Sequence, residues 1–261
     1  MAKVEYEPML VSYVDILGFG ELIRTKTAGD VSRILRVFNE TTAPPKFRHE
    51  NIPDLPKQEQ VSFSDLVMTC TPLRKRGNPG IVFNQFLRLV HAQSILLIDE
   101  GVLIRGGIAV GPATRSYRKY YGPAVITAYE WEQFQPGHPR IMVDPSVMRE
   151  VEHNPFLWMH DREDEQQVVN SFLAHDEEGN AYIDYLRVVL GESEDPNWVL
   201  KKHDELINDR LALFANNRSV RRKYQWLRVY HDRTVNRNVE TLKVPRRKGS
   251  KQPLEVADAR P

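Results

Sequence analysis

The stretch Val11-Ser-Tyr-Val-Asp-Ile-Leu-Gly-Phe-Gly20 decides the fold, because an apolar run of strand type ends there at a glycine-rich turn. It predicts a buried strand over residues 10–17, followed by the start of a helix. Asp15 is the one charged residue in this run. Burying a carboxylate without a cation or hydrogen-bond donors is costly, so we expect Asp15 to have a compensating partner.

A second apolar segment, Val61-Ser-Phe-Ser-Asp-Leu-Val-Met-Thr-Cys70, carries Asp65 in its middle in the same manner. Two carboxylates suit Mg²⁺ or Mn²⁺, since these cations prefer oxygen ligands and share their coordination shell with phosphates and water. We therefore expect Asp15 and Asp65 to meet at the tips of adjacent strands and to hold divalent cations beneath a nucleoside triphosphate. The alternative is that Asp15 caps a turn and that Asp65 is a hairpin residue.

Two further segments carry candidate phosphate-binding groups. Gly18-Phe19-Gly20 stands at a strand-to-helix junction, where backbone N–H groups can point at a phosphate, although a tight turn explains the glycines equally well. The largely apolar stretch 102–111 predicts a central strand, and its one charged residue is Arg105. Arg105 would serve as a phosphate clamp, and a buried ion pair with Glu or Asp is the alternative. The adjacent glycines after Arg105 predict close approach of another backbone or of a ligand.

The order of predicted elements gives the fold class. Residues 8–150 alternate as β-α-α-β-β-α-β-α-β, which predicts an α+β fold with helices packed on a mostly antiparallel sheet. Residues 151–243 are expected to form a C-terminal extension packed on this core, with strands at 171–174 and 181–189 and helices at 197–216 and 218–231. The tail over 244–261 is basic, contains prolines and is expected to be mobile.

Composition excludes several classes of protein. Lys+Arg 36 against Asp+Glu 35 gives a net charge of +1, so the chain lacks an overall field suited to nucleic acid. The single cysteine, Cys70, rules out an intrachain disulfide framework and fits a reducing compartment. No uncharged apolar run approaches the roughly 18 residues of a membrane-spanning helix, and the N-terminus has no signal-peptide core. We expect a soluble cytoplasmic protein that uses no membrane and no nucleic acid.

Four segments resemble, in order along the chain, the motifs of class III adenylate and guanylate cyclases. Tyr13-Val-Asp15-Ile-Leu-Gly18-Phe19 resembles their first metal motif, and Phe63-Ser-Asp65 stands where they have the second metal aspartate. Ile104-Arg105-Gly-Gly107-Ile-Ala-Val-Gly111 is similar to their Arg-x-Gly-x-x-x-Gly strand, and Tyr121-Gly-Pro-Ala-Val-Ile-Thr-Ala128 to the helix start after it. Together the matches span residues 10–145.

The resemblance implies a ferredoxin-like palm and a head-to-tail homodimer with composite sites at its interface. One subunit would hold two Mg²⁺ or Mn²⁺ ions through Asp15, the carbonyl of Ile16 and Asp65. The ribose 3′-hydroxyl would attack the α-phosphorus and expel pyrophosphate, and Arg105 matches a phosphate-contacting arginine. The residues expected to bind the nucleotide are Gly18, Phe19, Gly20, Arg105, Arg115, Lys119 and Tyr121.

The chain departs from the family at residues that act on the base and on the transition state. The family's asparagine and arginine on the helix after the last glycine are Ile126 and Glu130 here. The lysine that reads adenine is replaced by Val61, and the matching acid by Lys119. A transition-state cation must then come from elsewhere, and the nearby candidates are Arg115, Arg118 and Lys119.

This pattern, with the Lys223-Tyr-Gln-Trp226-Leu…Tyr230-His231 segment, resembles the pyrimidine cyclases of bacterial antiphage (Pycsar) systems. The resemblance implies a uridylate cyclase, with UTP preferred over CTP, whose cyclic product activates a separate effector. Two alternatives stay open: a degenerate cyclase-like domain that senses a nucleotide without turnover, and a purine cyclase with altered base contacts. The basic cluster Arg218, Arg221, Arg222 and Lys223 is interpreted as a solvated helix face, with contact to a triphosphate or nucleic acid as the alternative.

Overall fold

The structure is a computed structural model, and it describes residues 4–44, 59–73, 79–116, 119–133 and 138–236. The stretch 41–60, whose four prolines and many polar residues predict a surface loop, falls mostly outside these residues. Arg118 and the predicted mobile tail over 244–261 fall wholly outside them.

The first half of the chain forms a ferredoxin-like palm. Strand β1 (Glu7–Ile16) lies between β3 (Leu66–Pro72) and β4 (Ile104–Ser116), and β2 (Glu59–Phe63) borders β3. Each of these neighbouring pairs is antiparallel. Helices join β1 to β2 and β3 to β4, which gives the β-α-β-β-α-β connection of ferredoxin-like folds. The predicted α+β class and palm are confirmed.

Four helices belong to this palm, and their bounds are Phe19–Thr25 (α1), Ala28–Thr42 (α2), Ile81–Ile95 (α3) and Pro123–Gln133 (α4). Helix α3 continues into a π-helical turn, Leu96–Glu100, and a short strand β5 (Lys119–Tyr121) folds back on β4. Helix α4 begins at Pro123, as predicted, because proline lacks the N–H that a first helical turn leaves unpaired.

The two faces of the sheet are packed differently. Large side chains from α2 and α3, among them Phe38 and Phe86, are fully buried on one face. Helix α4 approaches the other face through small residues: Ala109, Ala113, Ala124 and Ala128. A Cβ at Gly107 would collide with the carbonyl oxygen of Ala128, and one at Gly106 with that of Tyr13. The predicted close approach of another backbone at these glycines is confirmed.

The same sheet continues past β4, first with a strand of the predicted core and then with strands of the C-terminal extension. Strand β6 (Ile141–Val143) pairs parallel with β4, β8 (Ala181–Ile183) pairs with β6, and β7 (Leu173–His175) pairs with β8. The β4–β6 pair is the one parallel pair among the described strands, so the sheet is mostly antiparallel. The α-helices that follow β6 in the described residues are Pro145–His153 (α5), Arg162–Asn170 (α6), Tyr185–Glu192 (α7), Pro196–Leu213 (α8) and Arg218–Val235 (α9).

The expectations for the extension hold in part. Helices α8 and α9 lie where they are predicted, but the strand predicted over 181–189 is wrong beyond Ile183, where α7 begins. Val188 and Val189 favour a strand locally, whereas tertiary contacts favour the helix. The Asp184 carboxylate before α7 accepts hydrogen bonds from Tyr230 (2.7 Å) and Arg187 (3.0 Å), which hold the chain at the strand-to-helix turn. Helices α5 and α6 are not anticipated by the sequence analysis.

Helices α8 and α9 pack together through a buried histidine pair. The Tyr185 hydroxyl lies 2.7 Å from Nε2 of His203, and Nδ1 of His203 lies 2.9 Å from Nδ1 of His231. The two imidazole rings are stacked with their centroids 5.1 Å apart. Burial lowers the pKa of His203 to about 3, and the neighbouring His231 and Arg228 act in the same direction. The packing therefore depends on an uncharged His203.

Helix α9 also docks on the core through a column of aromatic rings. The Trp226 indole stacks on His138 at 5.1 Å and on Tyr230 at 5.4 Å, measured between ring centroids. The Arg140 guanidinium lies 5.5 Å from the Trp226 ring and 5.5 Å from the Tyr182 ring. Trp226 is thus a packing residue, which is the role that its place in a helix favours.

One helical segment among the described residues, Ile81–Glu100, is long and apolar enough by length and composition to cross a membrane. Half of that stretch is buried inside the fold, and Val82, Phe86 and Leu89 belong to the core between sheet and helices. The core helix of a globular domain has these same properties. The cytoplasmic location stays a prediction.

We expect His203 to make the fold less stable as the pH is lowered. Its folded pKa of about 3 lies below the ordinary 6.5, so the unfolded chain binds the proton first as pH falls. The stability contributed by neutral His203 is present above about pH 6.5 and is lost toward pH 3, by up to about 1.4 kcal/mol per pH unit. Asp15, whose pKa is raised to about 7 in the folded chain, changes the stability in the opposite direction over this range. Urea denaturation at pH 8 and at pH 5 is therefore compared between the natural chain and a variant without His203.

The substitution His203→Gln keeps an amide near Tyr185 but removes the titrating group, so its loss of stability between pH 8 and pH 5 should be smaller than that of the natural chain. The matched control is His175→Gln, since His175 is exposed on β7. An equal loss in H203Q and in the natural chain would contradict this account.

Candidate active site

A tight turn after β1 fixes the position of Asp15. Gly18 has φ 76°, a left-handed conformation that favours glycine, and it stands immediately before α1. The N–H of Leu17 donates to the carbonyl oxygen of Leu103 at 2.8 Å, and the N–H of Glu21 donates to that of Gly18 at 2.9 Å. The predicted Gly18-Phe19-Gly20 junction is therefore a turn held by its own backbone, and its contact with phosphate stays a prediction.

The β2–β3 hairpin brings Asp65 beside Asp15. Ser64, at the turn of the hairpin, has φ 56°, and in the next strand Leu66 is the register partner of Asp15. The N–H of Ile16 donates to the carbonyl oxygen of Asp65 at 3.2 Å. Two aspartates about fifty residues apart in sequence thus lie at the same edge of the sheet. Their predicted role as metal ligands, together with the Ile16 carbonyl, stays a prediction.

Arg105 neutralises part of the charge at this edge. Its Nε and Nη2 atoms donate to the two carboxylate oxygens of Asp15 at 2.9 and 3.0 Å. Nη2 also lies 2.7 Å from Oε1 of Glu132, whose side chain is 1% exposed. This is the buried ion pair that the sequence leaves open as the alternative role of Arg105. A phosphate contact by Arg105 stays a prediction, and it would compete with this pairing.

Arg105 does not fully offset the cost of burying the charged carboxylate of Asp15. Burial raises the pKa of Asp15 to about 7, although the hydrogen bonds and charge of Arg105 lower it, and the charges of Glu132 and Asp65 raise it further. An Asp15 carboxylate is therefore easily protonated at neutral pH and would be stabilised by an added cation. The same surroundings, led by burial, raise the pKa of Tyr13.

The side chains fit a divalent cation of the Mg²⁺ type. Such ions bind through one or two protein carboxylates and complete their shell with substrate phosphates and water. Asp15 and Asp65 supply two carboxylates with surplus negative charge around them. Within the described ranges, no group of three or more His, Cys, Asp and Glu side chains is arranged to hold an ion. The rest of the shell of a cation here would come from the Ile16 carbonyl, from water or from a bound phosphate.

Two residues near Asp15 are not among the predicted site residues. Glu132 ends the inward face of α4, in line with Ala124 and Ala128, and a single acid on an otherwise apolar face is the signal that could have identified it. Lys223 reaches the site from α9. Burial lowers the pKa of Lys223, as does the nearby Arg105 charge, whereas Asp15 and Glu132 oppose the shift. The basic cluster that contains Lys223 leaves contact with a triphosphate open in the sequence, but only packing across the whole chain distinguishes Lys223 from its basic neighbours.

A cavity of about 260 Å³ lies beside the turn at Gly18. Its walls come from α1, from the loop before β4, and from α8 and α9. The rings of Phe214 and Tyr224 form part of the wall and stack at 6.1 Å between centroids. The charged side chains in the lining are Glu21, Arg24, Arg210 and Lys223.

The remaining predicted nucleotide-binding residues lie at the other end of the sheet. Arg115 pairs with Glu59 at 2.9 Å, Lys119 is exposed on β5, and Tyr121 contacts the ring of Tyr6 edge-on. Arg115 lies ten positions after Arg105 on β4, which is about 33 Å along a strand. Arg115, Lys119 and Tyr121 therefore do not join the Asp15 site of the same chain, and a composite site would need a second chain.

Comparison with known proteins gives little beyond this geometry. No protein-family model matches the chain, and no curated protein sequence matches it. Among solved structures, a bacterial light-regulated adenylyl cyclase is similar with a TM-score of 0.42 and 14% sequence identity. The match covers 65% of this chain and 57% of that chain. The likeness is too weak for the role of any residue to pass from that protein to this one.

We expect Arg105→Met to destabilise the fold, because it leaves the carboxylates of Asp15 and Glu132 buried without their cation. Breaking one partner of a buried ion pair costs about 3–5 kcal/mol. Urea denaturation at pH 8 measures the loss. The control is Arg24→Met, whose side chain is 76% exposed and should cost little. Equal stabilities of R105M and R24M would show that Arg105 does not compensate these carboxylates.

Proposed function

We propose that the protein is a nucleotidyl cyclase, which converts a pyrimidine nucleoside triphosphate, UTP in preference to CTP, to the 3′,5′-cyclic nucleotide and pyrophosphate. The observation that carries the proposal is the meeting of Asp15 and Asp65 at the tips of β1 and the β2–β3 hairpin. The surplus negative charge there suits a site for divalent cations. The motif resemblance described above supplies the reaction.

In this proposal Asp15, Asp65 and the Ile16 carbonyl hold Mg²⁺ or Mn²⁺, two ions per site. Bound divalent cations would activate the attacking hydroxyl and stabilise the departing pyrophosphate. The protein contributes mainly positioning and electrostatics, as in phosphoryl transfer generally. The turn at Gly18 lies beside both the carboxylates and the cavity, where a triphosphate can be held.

The preference for a pyrimidine rests on the residues that replace the purine-reading pair. Val61 offers no hydrogen-bond donor from its side chain, and Lys119 stands where the family has an acid. Both changes remove the usual contacts to adenine. We propose that the product serves as a second messenger for a separate effector in antiphage defence, as the resemblance to Pycsar cyclases implies.

A catalytically silent nucleotide sensor is the second candidate. Both oxygens of Asp15 accept hydrogen bonds from Arg105. Ile126 and Glu130, which stand where the family has its transition-state asparagine and arginine, are exposed on α4. A domain that binds a triphosphate at the cavity without cyclising it would have these same features.

We also propose that the protein acts as a homodimer with composite sites. Helix α4 presents Ile126 and Tyr129, which are 57% and 45% exposed. Phe63, at the tip of the β2–β3 hairpin, is 79% exposed. Grouped exposed apolar residues are typical of interaction sites. A head-to-tail partner would bring its own Arg115, Lys119 and Tyr121 toward the Asp15 edge.

We expect Asp15→Asn and Asp65→Asn each to lower cyclisation by about 100-fold or more, because loss of a metal ligand removes several kcal/mol of transition-state stabilisation. The assay incubates purified protein with each of the four nucleoside triphosphates and Mn²⁺, and identifies products by mass spectrometry. The natural chain should form cyclic UMP as its main product.

The matched control is Asp209→Asn, which removes an exposed carboxylate on α8 far along the chain from the site. Natural turnover in D15N or D65N would refute the proposed chemistry. A purine product would instead indicate the purine cyclase, and nucleotide binding without any cyclic product would indicate the silent sensor.

For the homodimer, we expect Ile126→Asp to convert dimers to monomers in light scattering coupled to size-exclusion chromatography. The charge would be buried without a partner at the interface. The control is Val229→Asp on α9, a residue that is 49% exposed. A monomeric natural chain, or a dimer unaffected by I126D, would contradict the assembly.

A further inference from the structure

We propose that Lys223 of the C-terminal extension contacts the triphosphate of the substrate within the same chain, and that the cavity between α1 and helices α8 and α9 receives its terminal phosphates. The inference rests on the proposed function and deepens it. It assigns a substrate-binding role to α9, an element that lies outside the four segments that resemble the motifs of class III cyclases.

The position of the cavity supports this role. It borders the turn at Gly18, directly after the strand that carries Asp15, and Lys223 forms part of its wall. A volume of about 260 Å³ is below the 300–1,000 Å³ of sites that enclose a whole drug-sized ligand. The cavity therefore suits the polyphosphate end of a nucleotide, while the base lies outside it.

The charges in the wall favour an anion. The lining contains three cationic side chains, those of Arg24, Arg210 and Lys223, and one acidic side chain, that of Glu21. Arg24 lies 3.8 Å from Glu21, and Arg210 donates to the carbonyl oxygen of Gly101 at 3.3 Å. For Lys223, the described part of the chain provides no hydrogen bond or ion pair within contact distance. Its ammonium group is thus the cation in this wall most available to a phosphate.

Lys223 differs from the basic residues around it in sequence. Arg218, Arg221 and Arg222 are exposed, as a solvated helix face predicts, whereas Lys223 is half-buried and turned toward the cavity. Its ammonium lies within electrostatic range of Asp15, Arg105 and Glu132. A lysine in this place can bridge the carboxylate edge and a phosphate in the cavity, acting as a point charge.

A purely structural role for Lys223 is the competing explanation, in which it only offsets the charges of Asp15 and Glu132. That role would change stability but not the affinity for phosphate. The test therefore measures binding of inorganic tripolyphosphate by calorimetry, and KM and kcat for UTP with Mn²⁺, on the full chain. The variants are Lys223→Gln, the charge-preserving Lys223→Arg, and Arg221→Gln as an exposed control on the same helix.

We expect K223Q to weaken tripolyphosphate binding and to raise KM for UTP by about 10-fold or more, with a smaller change in kcat. K223R should recover most of the affinity, and R221Q should match the natural chain. Equal affinity of K223Q and the natural chain for tripolyphosphate would overturn the inference, as would failure of the natural chain to bind it. If the chain cyclises no nucleotide, the proposed function fails, and the tripolyphosphate measurements still decide the role of Lys223.

Discussion

The negative charge of Asp15 lies where water is largely excluded, so nearby positive groups must replace the lost hydration. The surroundings of the site follow from that constraint. Removing an ionised carboxylate from water costs several kcal/mol unless attraction to a partner offsets it. Arg105 offers a bidentate contact but also lies 2.7 Å from Glu132, so one guanidinium is shared between two buried acids. Asp65 adds a third negative group. The raised pKa of Asp15 is the consequence, and it marks the site as one in which a further cation lowers the free energy.

The sheet and α4 together enforce this arrangement. Antiparallel pairing of β1 with β4 sets Asp15 opposite Arg105 in the register, so the ion pair is built into the strand alignment. Glu132 reaches the same point because α4 lies directly on β4, where Gly107 leaves room for the helix backbone. A side chain at position 107 would push α4 outward and take Glu132 with it. Gly107 therefore affects the charge balance by setting the position of the helix.

The sequence predicts the palm well, because apolar periodicity and turn residues are local signals. The strand around Asp15 and the close approach at Gly107 follow from them. The strand predicted through 189 fails because the Asp184 contacts with Tyr230 and Arg187 are tertiary. For the site, the sequence indicates both aspartates and leaves open two roles for Arg105. The contributions of Glu132 and Lys223 depend on helix placement, which local patterns do not encode.

The extension and the palm share one sheet, and this connection fixes the position of the helix that carries Lys223. Strands on both sides of residue 150 share one hydrogen-bonded sheet, from β4 through β6 to β8. Helix α9 is fixed to that part by the stack of His138, Trp226 and Tyr230. The backbone that carries Lys223 is therefore positioned by packing before any ligand arrives. Preorganised groups bind with less loss of conformational entropy than groups that must first be ordered. A helix held in this way is suited to form a permanent wall of the cavity beside the carboxylates, because its position does not depend on the anion.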